Sequence, residues 1–223
     1  MKANGWAAKN RARELELAEK VKERLVELAP RACKEHPDDW ERGAAWYAVE
    51  AARLEGMAAV LKVPAGVLKA AAAVLSPGNS WSVLLDRLPD FVRTAEQLQG
   101  RTDEWPAFPT YRANIEKARR LLFGGGVPAV EVCGRKVWPF YAALSGDRTA
   151  VVLDRHSSRH ALGKEVLGVI EHRAAVEGFR LAAAQLGMAP RDLQAALWTV
   201  DVGPGGDVGG VRAKAGSRGL EGA

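Results

Sequence analysis

The sequence of 223 residues predicts an all-α fold, and three observations carry that expectation. Alanine is abundant, β-branched residues rarely cluster, and apolar residues recur mostly at spacings of three and four. Residues 7–29 read as a strongly charged amphipathic helix, closed by Pro30. A second helix runs from about Asp38 to Leu61, with Trp46, Val49, Leu54 and Met57 at its apolar positions. "VPAGVLKAAAAVLSPGNSW" is a helix entered at Pro64 and stopped at Pro77 and Gly78, and a short helix follows from Trp81. The prolines of "DEWPAFP" make it a loop. "TYRANIEKARRLLFGGG" is a helix with a threonine cap at Thr110 and a glycine stop.

"VPAVEVCGRKVWPFYAALSGD" follows as a short helix, a glycine turn and a second helix ending at Gly146, with Pro139 expected to interrupt that second helix. The last long helix spans roughly Lys164 to Leu186, and Pro190 opens a closing helix. From Gly203 to Ala223, eight of 21 residues are glycine, too little apolar surface to order a segment. The expected organisation is therefore a helical domain over residues 1–202 and a disordered glycine-rich tail over 203–223.

Two distant cysteines, Cys33 and Cys133, form no CxxC, so neither a zinc site nor a disulfide framework is suggested. The N-terminus becomes charged too early for a secretory signal, and no run approaches the roughly 20 apolar residues of a membrane span. A soluble, cytoplasmic chain is the expectation. The net charge of +5 and pI near 9.4 permit nucleic-acid binding without requiring it.

The chemistry concentrates in "AVVLDRHSSRHALG", residues 150–163. An apolar strand or buried turn, Ala150 to Leu153, delivers Asp154 to the edge of a core, where its charge needs a purpose or a partner. Two readings stand open: a helix N-cap, with Gly163 ending the helix, or an active-site acid. Helix, glycine turn, helix, short connection and then an aspartate at the head of another helix resembles the helix-hairpin-helix DNA glycosylases. "CGRKVWPFYAALSGDRTAVVLDRHSSRHALG" is similar to that family's hairpin "GxGxKTA" followed by "vDtHvxRvaxRlG". Gly134, Arg135 and Lys136 stand for the hairpin, and Asp154, His156, Arg159 and Gly163 for the second motif. Lys136 precedes Asp154 by 18 residues, the separation between catalytic lysine and aspartate in the endonuclease III branch. "AAVLSPGNSW" resembles the early helix and loop that reach into DNA, and the likeness covers roughly residues 45–200.

The resemblance implies a two-lobed helical fold around a DNA cleft and a divergent bacterial or phage-type member. It also implies excision of a damaged or modified base from double-stranded DNA by a monomer. The chain departs from the family in having no four-cysteine signature, so no iron–sulfur cluster is expected, nor any other cofactor or metal. On that reading Asp154 stabilises positive charge at C1′ or activates water, and Lys136 is either a phosphate contact or a nucleophile. Gly134, Arg135, Lys136, Arg159 and Asn79 contact DNA, while Trp81, Trp138, Tyr141 and His156 line the base pocket. Each has a plainer reading: the aromatic residues as core, His156 as a structural hydrogen-bond partner, His160 as surface, and Arg159 as an ion-pair partner. The break expected at Pro139 would displace Lys136 from the sugar, so the enzyme is expected to be monofunctional. Two alternatives remain: a phage-type transferase that hypermodifies thymine on the same fold, and a non-catalytic helical DNA-binding module.

Overall fold

The computed structural model describes residues 2–98, 108–124 and 131–203. Every regular element among them is a helix. In chain order these are α1 (Lys2–Glu35), α2 (Pro37–Leu61), α3 (Ala65–Leu75), α4 (Trp81–Gln97), α5 (Arg112–Phe123), α6 (Val137–Leu144), α7 (Arg155–Leu162), α8 (Val169–Leu186) and α9 (Pro190–Val202). They divide into two units. The first holds the described residues of Met1–Tyr47 and Asp147–Pro204, the second those of Ala48–Gly146.

The first unit is organised by α1 lying along α8. Val21, Leu25, Leu28 and Ala32 of α1 meet Ala175, Phe179, Ala182 and Ala183 of α8, and Leu193, Leu197 and Val200 of α9 complete the core. Two glycines set how closely these helices approach. A Cβ at Gly178 would lie 2.4 Å from Val21 Cγ1 and 2.9 Å from the Ala18 carbonyl oxygen, so only hydrogen fits there. Gly43 of α2 stands against α9 in the same way, its missing Cβ 2.6 Å from Ala196 Cα. Within α1 the helix does not stop at Pro30 but continues to Glu35. The proline forfeits one hydrogen bond, but Leu28, Ala29 and Ala32 are buried on either side of it, and their packing holds the turn helical.

The second unit is built around α3. Its alanines leave no bulk on any side, and Val67 through Leu75 are buried against α4, α5 and α6. Lys69 alone carries charge into that helix, and its ammonium is met by Glu55 at 2.6 Å. The helix from Trp81 is 17 residues long rather than short and runs through Pro89. Its start is capped by Ser80, whose Oγ accepts the Val83 N–H. In α5 the N-cap is Tyr111 instead of Thr110. The Thr110 hydroxyl is engaged elsewhere, donating to the Pro77 carbonyl at 2.9 Å. On α2, Val49 faces solvent while Leu54 is fully buried.

Three further features differ from the sequence reading. Glu131–Lys136 forms turns, so the described part of the expected first hairpin helix is not helical; residues 125–130 lie outside the described residues. Pro139 does not interrupt α6, because it occupies the first helical turn, where its missing N–H has no intrahelical acceptor to lose. Helix α8 begins at Val169, not near Lys164. The carboxylate of Glu171 marks that start by accepting the Gly168 N–H at 2.9 Å and binding Lys164 at 2.5 Å. The expected tail beyond Gly203, and residues 103–107 of the expected loop, lie outside the described residues.

Candidate functional site

The candidate residues fall into two groups, one in each unit. In the second unit the turn before α6 is tethered from its N-terminal side. Arg120 of α5 forks onto the buried Glu131 carboxylate, Nε to Oε1 at 2.6 Å and Nη2 to Oε2 at 2.9 Å. That two-point contact fixes both position and orientation of the segment leading into the turn. Gly134 follows with φ +126°, a backbone conformation closed to L side chains in ordinary circumstances. Beyond it Arg135 is exposed and Lys136, half-buried, is the N-cap residue of α6. Trp138 stands 49% exposed, its ring 6.0 Å from that of Tyr141. Trp81 packs edge-on against Phe140 with centroids 5.4 Å apart. Asn79 directs its amide nitrogen to the Leu75 carbonyl at the end of α3, 2.8 Å away.

In the first unit, Ala150 to Leu153 are buried without forming a strand. Their entry is pinned by an aspartate turn, Asp147 Oδ1 accepting the N–H and hydroxyl of Thr149, and by Arg148, whose guanidinium bonds Asp192 of α9 at 3.0 Å. The segment ends at Asp154, half-buried at the head of α7. Its Oδ1 accepts the Ser157 N–H at 2.8 Å, the N-cap geometry, and Gly163 closes the helix in the left-handed conformation at φ +69°.

Behind that first turn lies a buried polar chain. The Tyr47 hydroxyl donates to Gln194 Oε1 at 3.2 Å, and Gln194 Nε2 donates to Ser157 Oγ at 3.0 Å. Tyr47, Gln194 and Ser157 are all buried, so each bond is made away from competing water. Burial, and then the nearby Asp154 charge, push the Tyr47 hydroxyl well above the ordinary tyrosine range. Its proton therefore stays available for the bond to Gln194. Asp154 thus projects from a helix start locked from α2 and α9.

The helix also gathers a charged cluster. His156 Nδ1 and Asp201 Oδ2 share a hydrogen bond, and Arg159 Nη2 lies 3.0 Å from Nδ1 and 3.8 Å from that carboxylate oxygen. Burial works to raise the Asp201 carboxyl, but the His156 bond and the charges of His160, His156 and Arg159 outweigh it and hold it below the usual carboxylate range. His160 is not at the surface but buried, with no hydrogen-bond partner at Nε2 among the described residues. It sits on the face of α7 turned to the core, and burial lowers its pKa.

The chain belongs to a family of unknown function (DUF7178). The family's model matches residues 9–204, which takes in both units and every candidate residue named above. No curated protein and no solved structure matches the chain.

Three residues of this candidate site were not singled out by the sequence: Asp201, Gln194 and Tyr47. A signal existed for two of them. Asp201 and Gln194 are polar residues inside the largely apolar helix "PRDLQAALWTVDV", where an uncompensated polar group is costly. Among the described residues no cluster of histidine, cysteine, aspartate and glutamate could hold a metal ion, and no single helix is long and apolar enough to cross a membrane.

Proposed function

We propose that this chain is a DNA glycosylase that flips a damaged or modified base from double-stranded DNA and cleaves its N-glycosidic bond with the aid of Asp154. The observation that carries the reading is the setting of that carboxylate. It is half-buried at the head of α7, with one oxygen held by the Ser157 N–H and the turn beneath it braced by Gln194 and Tyr47. A negative charge held so firmly needs little reorganisation when positive charge develops at C1′, which is the requirement for electrostatic catalysis. Duplex DNA is anchored by the second unit, where the Gly134 turn, Arg135 and Lys136 contact phosphates independently of sequence and Trp138 offers an exposed ring for stacking. Flipping the nucleotide costs roughly a few kcal/mol, least for a damaged or mispaired base.

The reaction is hydrolytic in this reading. Lys136 stands next to the exposed Arg135 at the start of α6, a setting that suits a phosphate contact. Borohydride should therefore trap no adduct between the protein and DNA. The deciding experiment incubates the chain with phage DNAs carrying different modified bases and identifies released bases by mass spectrometry. Asp154→Asn preserves the cap, since asparagine caps about as well as aspartate, and should reduce release by roughly 10²–10³-fold. Its melting temperature and DNA affinity should not change.

The cap bond itself favours a second reading, in which Asp154 serves only its helix and the chain is a helical DNA-binding module. In that case Asp154→Asn changes nothing in any assay. New mass on intact DNA, in place of a free base, would point to transfer chemistry.

A further inference from the structure

We infer that His156 is a second catalytic group of this site, the base that takes the proton from the attacking water, and that Asp201 and Arg159 are its positioning residues. The inference rests on the glycosylase reading. Its starting point is the bonding at Nδ1. A carboxylate can only accept, so the hydrogen bond between Nδ1 and Asp201 Oδ2 requires the proton on Nδ1. Arg159 Nη2, a donor only, also stands 3.0 Å from Nδ1 and 3.8 Å from the Asp201 oxygen; in the proposal the Asp201 bond sets the tautomer and Arg159 serves as the counter-charge of the carboxylate. In the neutral imidazole this leaves the lone pair on Nε2.

The two histidines of α7 differ in what surrounds that atom. His160 Nε2 is sealed in the core. The His156 side chain keeps 18% of its surface, and no described residue hydrogen-bonds its Nε2. The charged and titratable groups about this ring are Arg159 and His160 on α7, Asp201 on α9, Glu165 4.0 Å from Arg159, and Arg24 of α1, which reaches the Arg159 carbonyl. A histidine whose tautomer is held by a half-buried acid, with its other nitrogen unclaimed, is the arrangement general-base catalysis needs.

The step balances without any further reagent. Water oxygen bonds to C1′ as the glycosidic C–N bond breaks, and the departing base keeps the electron pair of that bond. One water proton passes to His156 Nε2, and the base takes a proton from solvent. Asp154 opposes the positive charge on the sugar.

The experiment compares the intact chain with His156→Gln and Asp201→Asn in three measurements. Nitrogen NMR of the imidazoles should find the proton on Nδ1 of His156 in the intact chain and on Nε2 in Asp201→Asn. Single-turnover base release from duplexes carrying uracil, 5-hydroxymethyluracil or 8-oxoguanine, or from the modified phage DNAs, should fall roughly 10²–10⁴-fold in both variants. Affinity for a duplex carrying a cationic pyrrolidine in place of one deoxyribose should stay unchanged, because that charge is the concern of Asp154. A proton on Nε2 in the intact chain, or base release unaffected by His156→Gln, overturns the inference and leaves the glycosylase reading standing. No release from any of these DNAs by the intact chain overturns the inference, and if the pyrrolidine is also bound no better than neutral tetrahydrofuran the glycosylase reading falls with it.

Discussion

Replacing Gly178 by alanine tests the packing on which the first unit depends, and the expected sign is opposite to what helix propensity alone predicts. In the interior of a helix, glycine to alanine stabilises by roughly 0.8–1 kcal/mol. At Gly178, however, the new Cβ would stand 2.4 Å from Val21 Cγ1, 2.5 Å from Val21 Cβ and 2.9 Å from the Ala18 carbonyl oxygen. Carbon contacts are most favourable near 3.5–4.0 Å, so a separation about 1 Å greater is needed. Two of the three clashing atoms cannot yield it by changing rotamer, since one is a Cβ and the other a backbone oxygen. The helices themselves must part, loosening Leu25, Ala175 and Phe179 along the same seam. Overpacking of this kind costs about 1–3 kcal/mol beyond what propensity returns. A net loss near 2 kcal/mol lowers the melting temperature by about 4–8 °C in a domain of this size. Gly56 on α2 is the control, because a Cβ there meets nothing within 4 Å. Gly56→Ala should stabilise by roughly 0.5–1 kcal/mol. Thermal melts followed by circular dichroism measure both, and a melting temperature that rises in Gly178→Ala would refute the close approach of α1 and α8.

Three other outcomes follow from the same geometry. Replacing Arg135 and Lys136 together by alanine should weaken binding to every duplex alike and reduce the salt dependence of log K by about 0.9 for each phosphate no longer neutralised; weakening confined to one sequence contradicts this. His160 is buried, with a folded-state pKa lowered first by desolvation, so below the unfolded value of about 6.5 the unfolded chain binds more protons. Stability should therefore be full above that pH and decline as the pH falls through the folded-state pKa, and His160→Gln should flatten this part of the profile in urea titrations. Asp154→Ala, unlike Asp154→Asn, should cost about 1 kcal/mol by orphaning the Ser157 N–H, read as a lower denaturation midpoint.

The helical class and most helix positions were legible because they depend on local periodicity and on end signals. Pro190 opens α9 and Gly163 closes α7 where a reader of the sequence would put them. The misplacements trace to context. Pro30 breaks helices in isolation, but burial of Leu28, Ala29 and Ala32 outweighs its lost hydrogen bond. Pro139 is disruptive only in a helix interior, and α6 starts two residues before it. Thr110 is a good cap whose hydroxyl found a non-local acceptor on Pro77. The aspartate at the head of α7 could be named from the sequence, since cap, helix and glycine stop lie within ten residues. Its neighbours could not. Asp201 lies 45 residues beyond His156, and Tyr47 lies 147 before Gln194, so only the fold joins them.

The central claim, that Asp154 holds a negative charge ready for a cationic sugar, can be tested without knowing which base is removed. Two duplexes suffice, identical except that one carries a neutral tetrahydrofuran and the other a cationic pyrrolidine in place of a deoxyribose. The pyrrolidine places positive charge where the transition state develops it, and mimics of that kind bind about 10²-fold tighter or more. The intact chain should show that preference at equilibrium, and Asp154→Asn should bind both duplexes equally. Equal affinities in the intact chain, or a preference that survives Asp154→Asn, would contradict the account.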